Sequence, residues 1–336
     1  MEKNSRIYVA GHRGLVGSAI WHSLQNRGYS NLTGKSHAEL DLLNPNAVRD
    51  FFDKEQPEFV VLAAAKVGGI FANNEYRADF IYENLQIQQN VIGESFRHNV
   101  KKLLFLGSTC IYPKNAPQPI PENALLTGEL EKTNEPYAIA KIAGLKMCES
   151  FNLQYGTNYI SVQPTNLYGP NDNFHLENSH VLPAIIRKIY LAKCLKESNS
   201  AALEKDLAKR PVKGNLNEHG IFADRLELWG TGKPLREFLW SEDMADACVY
   251  CLENINFNDV KSHINIGTGK EISIAELAAL AAKIINYDGK IIFDSSKPNG
   301  TMRKLCDVSK IHSIGWQHKV EIEDGVKKLY EWYLEN

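Results

Sequence analysis

The chain has 336 residues, 43% of them hydrophobic, with 38 Lys and Arg set against 40 Asp and Glu for a formal net charge of -2. This is enough apolar material for one large domain, or two coupled ones, around a sizeable core. The balance leaves no excess of cations to hold a phosphate backbone and so argues against nucleic acid as a partner.

The N-terminus runs straight into the strand-like Ile7-Tyr8-Val9-Ala10 with no apolar leader, and nowhere do 18 apolar residues stand together. Neither export nor a membrane span is expected, which places the protein in the cytoplasm with reduced thiols. Further along the first half, short β-branched runs alternate with helical stretches: 14–27 after the first strand, then 59–64 with 84–99, 103–108 with 136–155, and 159–163. That alternation predicts βαβ units, hence an α/β fold of the Rossmann type with a doubly wound parallel sheet. After Pro164 the regularity fails. Polar, Gly- and Pro-punctuated stretches and a charged segment over 196–224 read as surface elaboration, and the last third reads as a smaller α+β region over the C-terminal ends of the strands. The expected division is 1–168 plus about 229–258 for the dinucleotide-binding domain, and 169–228 plus about 259–336 for the substrate domain. Of six cysteines only Cys248 and Cys251 form a C-x-x-C pair. They fall in a helical pattern with no second pair to complete a zinc site, so packing is the expected role and no metal is assigned.

Gly11-His12-Arg13-Gly14-Leu15-Val16-Gly17 is a G-x-x-G-x-x-G loop at the first strand-to-helix junction. Glycine permits the turn at 11, close approach of a pyrophosphate at 14 and close helix-to-strand packing at 17. After the second strand an acidic residue would bind a free ribose 2′-hydroxyl, but Thr33-Gly34-Lys35-Ser36-His37 has none. Lys35, Ser36 and Arg13 suit a 2′-phosphate instead, so the expected cofactor is NADPH/NADP+. Asp41 and Leu42 are expected at the adenine edge, and Ala64, Ala65 and Lys66 against the cofactor.

Tyr137 and Lys141 lie four apart in a predicted helix that has Pro136 in its first turn, and so share a face. An ammonium beside a buried phenol favours phenolate, and the oxidised nicotinamide pushes the same way, which fits Tyr137 to proton transfer. Ser108, at a strand end, can polarise a carbonyl oxygen.

Around these residues the segments Ala64-Ala65-Lys66-Val67-Gly68-Gly69-Ile70, Gly107-Ser108-Thr109-Cys110-Ile111-Tyr112-Pro113, 134–141, Pro164-Thr165-Asn166-Leu167-Tyr168-Gly169-Pro170 and Asn178-Ser179-His180-Val181 are closely similar to those of one family. The chain resembles the extended short-chain dehydrogenase/reductases, and within them the GDP-L-fucose synthase family, over nearly its whole length. The resemblance implies epimerisation of GDP-4-keto-6-deoxy-D-mannose at C3 and C5, then reduction at C4 by NADPH. It implies Ser108, Tyr137 and Lys141 as the reductive triad, with Cys110 and His180 as the epimerising pair. By the same likeness Pro164, Asn166, Leu167 and His180 join the cofactor contacts, and Asn166, Arg187, Lys188, Trp229, Arg236, Lys297 and Arg303 are expected to hold the GDP-linked 4-keto sugar. A homodimer is implied as well.

The stretch between Lys193 and Leu228 is longer than in compact family members, so a C4 reductase of another GDP-4-keto sugar, such as a GDP-heptose, is the competing expectation. An NAD-dependent sugar 4-epimerase or dehydratase is a further one. Dehydratases place Asp-Glu after the strand-end Ser/Thr, where this chain has Thr109-Cys110, and Lys35-Ser36-His37 speaks against NAD.

Overall fold

Ile7-Tyr8-Val9-Ala10 is apolar throughout and buried at all four positions, the pattern of a strand covered on both faces. The computed structural model describes residues 1–297 and 299–336; Pro298 and the side chains of Ile70 and Phe71 lie outside the described residues. In it this strand, β1 (Ile7–Ala10), is followed by α1 (Leu15–Asn26), β2 (Leu32–Thr33), α2 (Pro45–Glu55) and β3 (Phe59–Leu62). Helices α3 (Ile70–Glu75) and α4 (Arg77–Arg97) precede β4 (Lys102–Leu106), and α5 (Glu135–Tyr155) precedes β5 (Tyr159–Pro164). The chain then crosses over the sheet through β6 (Asn166–Tyr168), α6 (Val181–Lys196), α7 (Ser200–Lys209), β7 (Arg225–Trp229), β8 (Leu235–Arg236) and β9 (Phe238–Trp240). It returns through α8 (Ser241–Asn254), α9 (Phe257–Val260) and β10 (Ile264–Ile266). Last come β11 (Ile272–Ser273), α10 (Ile274–Ile285), β12 (Lys290–Asp294), β13 (Arg303–Lys304), α11 (Ser309–Ser313) and α12 (Ile322–Glu335).

Six strands make the main sheet in the order β10-β5-β4-β3-β1-β2, all parallel. The doubly wound parallel fold expected from the alternation is the fold observed. Leu40, Phe51, Phe52, Val91, Ile92 and Leu145 cover one face, and Ile20, Leu24, Met244, Cys248 and Cys251 cover the other. Cys248 and Cys251 are thus core residues, as their helical setting predicts. Strand β10 lies at the edge of this sheet, and Cys306, Val308, Ile311 and Trp316 pack on its α1/α8 face, not in the smaller region where 259–336 is expected. The physical reason is that Ile264 and Ile266 are fully buried, which a sheet edge under helices provides.

Local chemistry sets several boundaries. Asn44 Oδ1 accepts from the Asn46 and Ala47 N–H groups ahead of Pro45, capping α2. Ser273 and Glu276 form a reciprocal capping box at α10. A second core gathers Ile185, Ile186, Leu226, Leu277, Val326 and Tyr333 around the parallel β7–β12 pair. No helix among the described residues is long and apolar enough to cross a membrane.

Strand β1 has β2 on one side and β3 on the other, so the winding reverses there, and the loops leaving β1, β3, β4 and β5 open into one crevice.

Candidate functional site

That crevice, between the sheet's C-terminal edge and the second core, is a cleft of about 1350 Å³. At one end lies the glycine loop. Gly11 has φ +86, and a Cβ there would stand 2.8 Å from the Ala64 nitrogen; at Gly17 it would stand 2.0 Å from the Gly11 carbonyl oxygen. Both glycines are demanded by the protein's own packing. At Gly14 the nearest atom would be 3.5 Å away, and α1 begins there with no side chain capping it and no acid in its first turn. Its N–H groups and positive dipole end therefore face the cleft, which fits a pyrophosphate.

Arg13, Leu15, Val16, Lys35, Ser36, Asp41, Leu42, Ala64, Ala65 and Lys66 line the cleft beside this loop. Two have prior engagements. Lys66 donates to Glu83 Oε1 at 2.6 Å, and the Ser36 hydroxyl donates to Glu39 Oε2 at 2.5 Å. Lys35 and Arg13 are cations placed to meet a 2′-phosphate, although the Glu39 carboxylate, which accepts from the Ser36 N–H and hydroxyl, also feels both charges.

Ser108, Cys110, Tyr137, Lys141, Pro164, Asn166, Leu167 and His180 line the same cleft. Ser108 ends the β4 segment; its N–H donates to Gln163 Oε1 at 2.8 Å, and its Oγ accepts from the Cys110 N–H at 3.3 Å, closing the 3-10 turn that carries the cysteine. Asn166 Nδ2 donates to the Glu237 carbonyl at 2.7 Å. His180 stands at the start of α6, over the cleft, where the Gly69 N–H donates to the Asn178 carbonyl at 3.3 Å and pins the preceding loop.

Lys141 Nζ donates to the Leu106 carbonyl at 2.7 Å and sits 5.7 Å from the Tyr137 ring centre. Burial brings the Lys141 ammonium down to about 8 and pushes the Tyr137 phenol up. Burial thus favours the neutral phenol at Tyr137, against the push towards phenolate expected from Lys141 and an oxidised nicotinamide. Burial also raises the Cys110 thiol, against the pull of Lys304, the Ser108 hydrogen bond and Lys141. His180 lines the cleft and is solvent-exposed, and neighbouring protein together with the Lys304 charge lowers its imidazole.

Lys188, Trp229 and Arg236 line the far end, where burial lowers Lys188 to about 8 and its Nζ donates to the His219 carbonyl at 2.6 Å. Three expected substrate contacts are corrected. Arg187 is wholly buried outside the cleft, donating to Asp206, because α6 turns that side inward. Arg303 is exposed and paired with Glu271 at 2.7 Å. Lys297 is exposed, 5.7 Å from the Trp229 ring centre and not part of the cleft wall.

Lys304 is the cation that β13 turns inward where Arg303 points out. Strand alternation was the signal for it, but two residues are too few to read from sequence. Neither was the wall formed by Lys213, Gly214, Glu218 and His219 foreseen, since it comes from the charged 196–224 stretch. Buried Glu237 accepts from the N–H groups of Thr268, Gly269 and Cys306 at 2.6, 2.7 and 2.9 Å and so fixes the strand that presents Lys304.

The model of the NAD dependent epimerase/dehydratase family matches residues 7–267. The chain is 54% identical over 335 residues to GDP-L-fucose synthase 1 of Arabidopsis thaliana, covering 100% of this chain and 95% of that protein. Among solved structures it is similar to a GDP-6-OMe-4-keto-L-xylo-heptose reductase from C. jejuni, at 48% identity and TM-score 0.93, covering 99% of this chain and 98% of the other. It is also similar to a GDP-mannoheptose C4 reductase from Campylobacter jejuni with NADP bound, at 47% identity and TM-score 0.88, covering 99% of each.

Proposed function

The chain belongs to the NAD dependent epimerase/dehydratase family, and within it to the GDP-L-fucose synthases, and we propose that it is an NADPH-dependent epimerase-reductase of GDP-4-keto-6-deoxy-D-mannose. One observation supports the reading: Ser108, Tyr137, Lys141, Cys110 and His180 all line one cleft, together with the glycine loop and with Lys188, Arg236 and Lys304.

The C4 ketone acidifies the protons on C3 and C5. Cys110, as thiolate, takes such a proton; the electron pair moves onto the ketone oxygen, which the Ser108 and Tyr137 hydroxyls steady; and imidazolium His180 returns a proton to the opposite face. Lys304, beside the sulfur, favours the thiolate. The glycine loop with Arg13 and Lys35 would hold NADPH, which when bound would supply the hydride for C4. Tyr137 gives its proton to the oxygen as the ketone becomes an alcohol, and its burial suits this: a phenol kept protonated is a donor in the reductive direction. Lys188, Trp229 and Arg236 hold the nucleotide diphosphate end.

The second reading, C4 reduction of a GDP-heptose without full epimerisation, is favoured by the extra 213–219 wall. Incubation with GDP-4-keto-6-deoxy-D-mannose and NADPH in deuterated water separates the two. Deuterium at C3 and C5 with NADPH consumed is the expected result; consumption without deuterium leaves only the reductase, and no consumption rejects the substrate. In Cys110→Ser deuterium uptake should fall far more than reduction of a pre-epimerised substrate, and equal loss would remove the assigned role.

The exposed apolar residues Tyr82 on α4 and Ile139, Leu153 and Tyr155 on α5 support a homodimer through these helices. Six buried free thiols accord with a cytoplasmic setting.

A further inference from the structure

We propose that a small recess adjoining Cys110 is the proton exit of the epimerising site, where a water and the Glu131 carboxylate carry away the proton that the thiol has taken from the sugar. The inference rests on the epimerase reading of Cys110 and His180.

Two inversions by one base and one acid impose a requirement. When C3 has been inverted, its C–H bond has become an S–H bond, and the electron pair has returned to carbon with a proton from the imidazolium. Cys110 is then a thiol and His180 a neutral imidazole. Neither can act at C5 until the thiol has lost a proton and the imidazole has gained one. Burial favours the neutral thiol at Cys110, so its proton has to be led out of the site before the pair can act again.

The recess measures about 30 Å³ and shares Thr109, Cys110, Glu131, Asn134, Thr301 and Lys304 with the main cleft. That is room for about one water. Asn134 occupies the N-cap position of α5 but makes no capping bond, and its buried Oδ1 has no hydrogen-bond partner among the described residues. An asparagine at that position normally satisfies an orphan N–H of the helix. Here its acceptor is left for another donor, and a water would meet the need in a recess that Thr109, Cys110 and Lys304 also line. Glu131 leads outward: it lies 3.6 Å from Lys114, whose side chain is 54% exposed.

In the step itself the S–H bond breaks heterolytically and its electron pair stays on sulfur. The proton passes to the water, then to the Glu131 carboxylate, and then to solvent. His180 takes a proton from solvent in the cleft, so the net change is one proton moved from sulfur to imidazole.

The test follows deuterium at C3 and C5 against hydride transfer to C4, using GDP-4-keto-6-deoxy-D-mannose and NADPH in deuterated water. Wild-type product should carry both deuterons. In Glu131→Gln, which keeps the shape but cannot take a proton, the ratio of second-site deuterium uptake to hydride transfer should fall about tenfold and singly inverted sugar should accumulate. Glu131→Asp should stay within about threefold of wild type. Because the ratio is taken within one preparation, partial unfolding cancels from it. A Glu131→Gln ratio equal to wild type overturns the proton exit while leaving the epimerase intact; wild-type protein that takes up deuterium at neither carbon overturns the epimerase reading, and the exit with it.

Discussion

Gly11, Gly14 and Gly17 differ in what demands them. At Gly17 an added Cβ meets backbone at 2.0 Å, whereas at Gly14 it meets nothing nearer than 3.5 Å. Gly17→Ala is expected to lower the melting temperature by about 5 °C or more, since backbone must move. Gly14→Ala should melt close to wild type but bind NADPH at least about tenfold more weakly, because its methyl group would stand where the phosphates approach. Thermal melts with a fluorescence titration of NADPH check both, and a Gly14→Ala variant that binds normally would remove the loop from the cofactor site. The spacing of these glycines, like that of Tyr137 and Lys141, is local, so it is legible in sequence. What Tyr137 does at rest is not, because its protonation depends on burial by residues distant in the chain.

Between elements, the least legible feature is the fixing of α7 to the second core. Arg187 donates to Asp206 at 3.0 and 2.8 Å and to the Phe174 carbonyl at 3.1 Å, while Asp206 also accepts from Arg210 and from the Tyr333 hydroxyl. A stretch that reads as charged surface is thereby tied to α6 and α12, and the chain after α7 is brought to the cleft as the wall holding Lys213 and Glu218. Asp206→Ala leaves a buried guanidinium uncompensated and is expected to cost about 3–5 kcal/mol. A urea unfolding curve measures it; an unchanged midpoint would mean that α7 is not held by this pair. Composition points the other way because Arg and Asp are usually exposed, and these partners lie 19 residues apart in sequence with Tyr333 another 127 beyond Asp206.

For the molecule as a whole, the cleft opens at the C-terminal edge of the sheet where its winding reverses, and Ile185 and Leu228 of the second core help to wall it. The proposed dimer belongs to this scale. Leu153 and Tyr82 are 73% and 68% exposed on neighbouring helices, an arrangement that a second copy would cover. Leu153→Glu is expected to shift the mass measured by light scattering from two chains to one, and a wild-type protein already at one chain would reject the dimer.

Periodicity and short-range spacing are properties of consecutive residues, and from them come the βαβ alternation, the glycine loop, the Tyr137/Lys141 face and the capped helices. The edge position of β10, the inward turn of Lys304 in place of Arg303, the burial of Arg187 and the recess beside Cys110 depend on segments that meet only when the chain is packed. Hydrophobic burial and paired charge are collective quantities, and at those positions they outweigh what any stretch of sequence prefers locally.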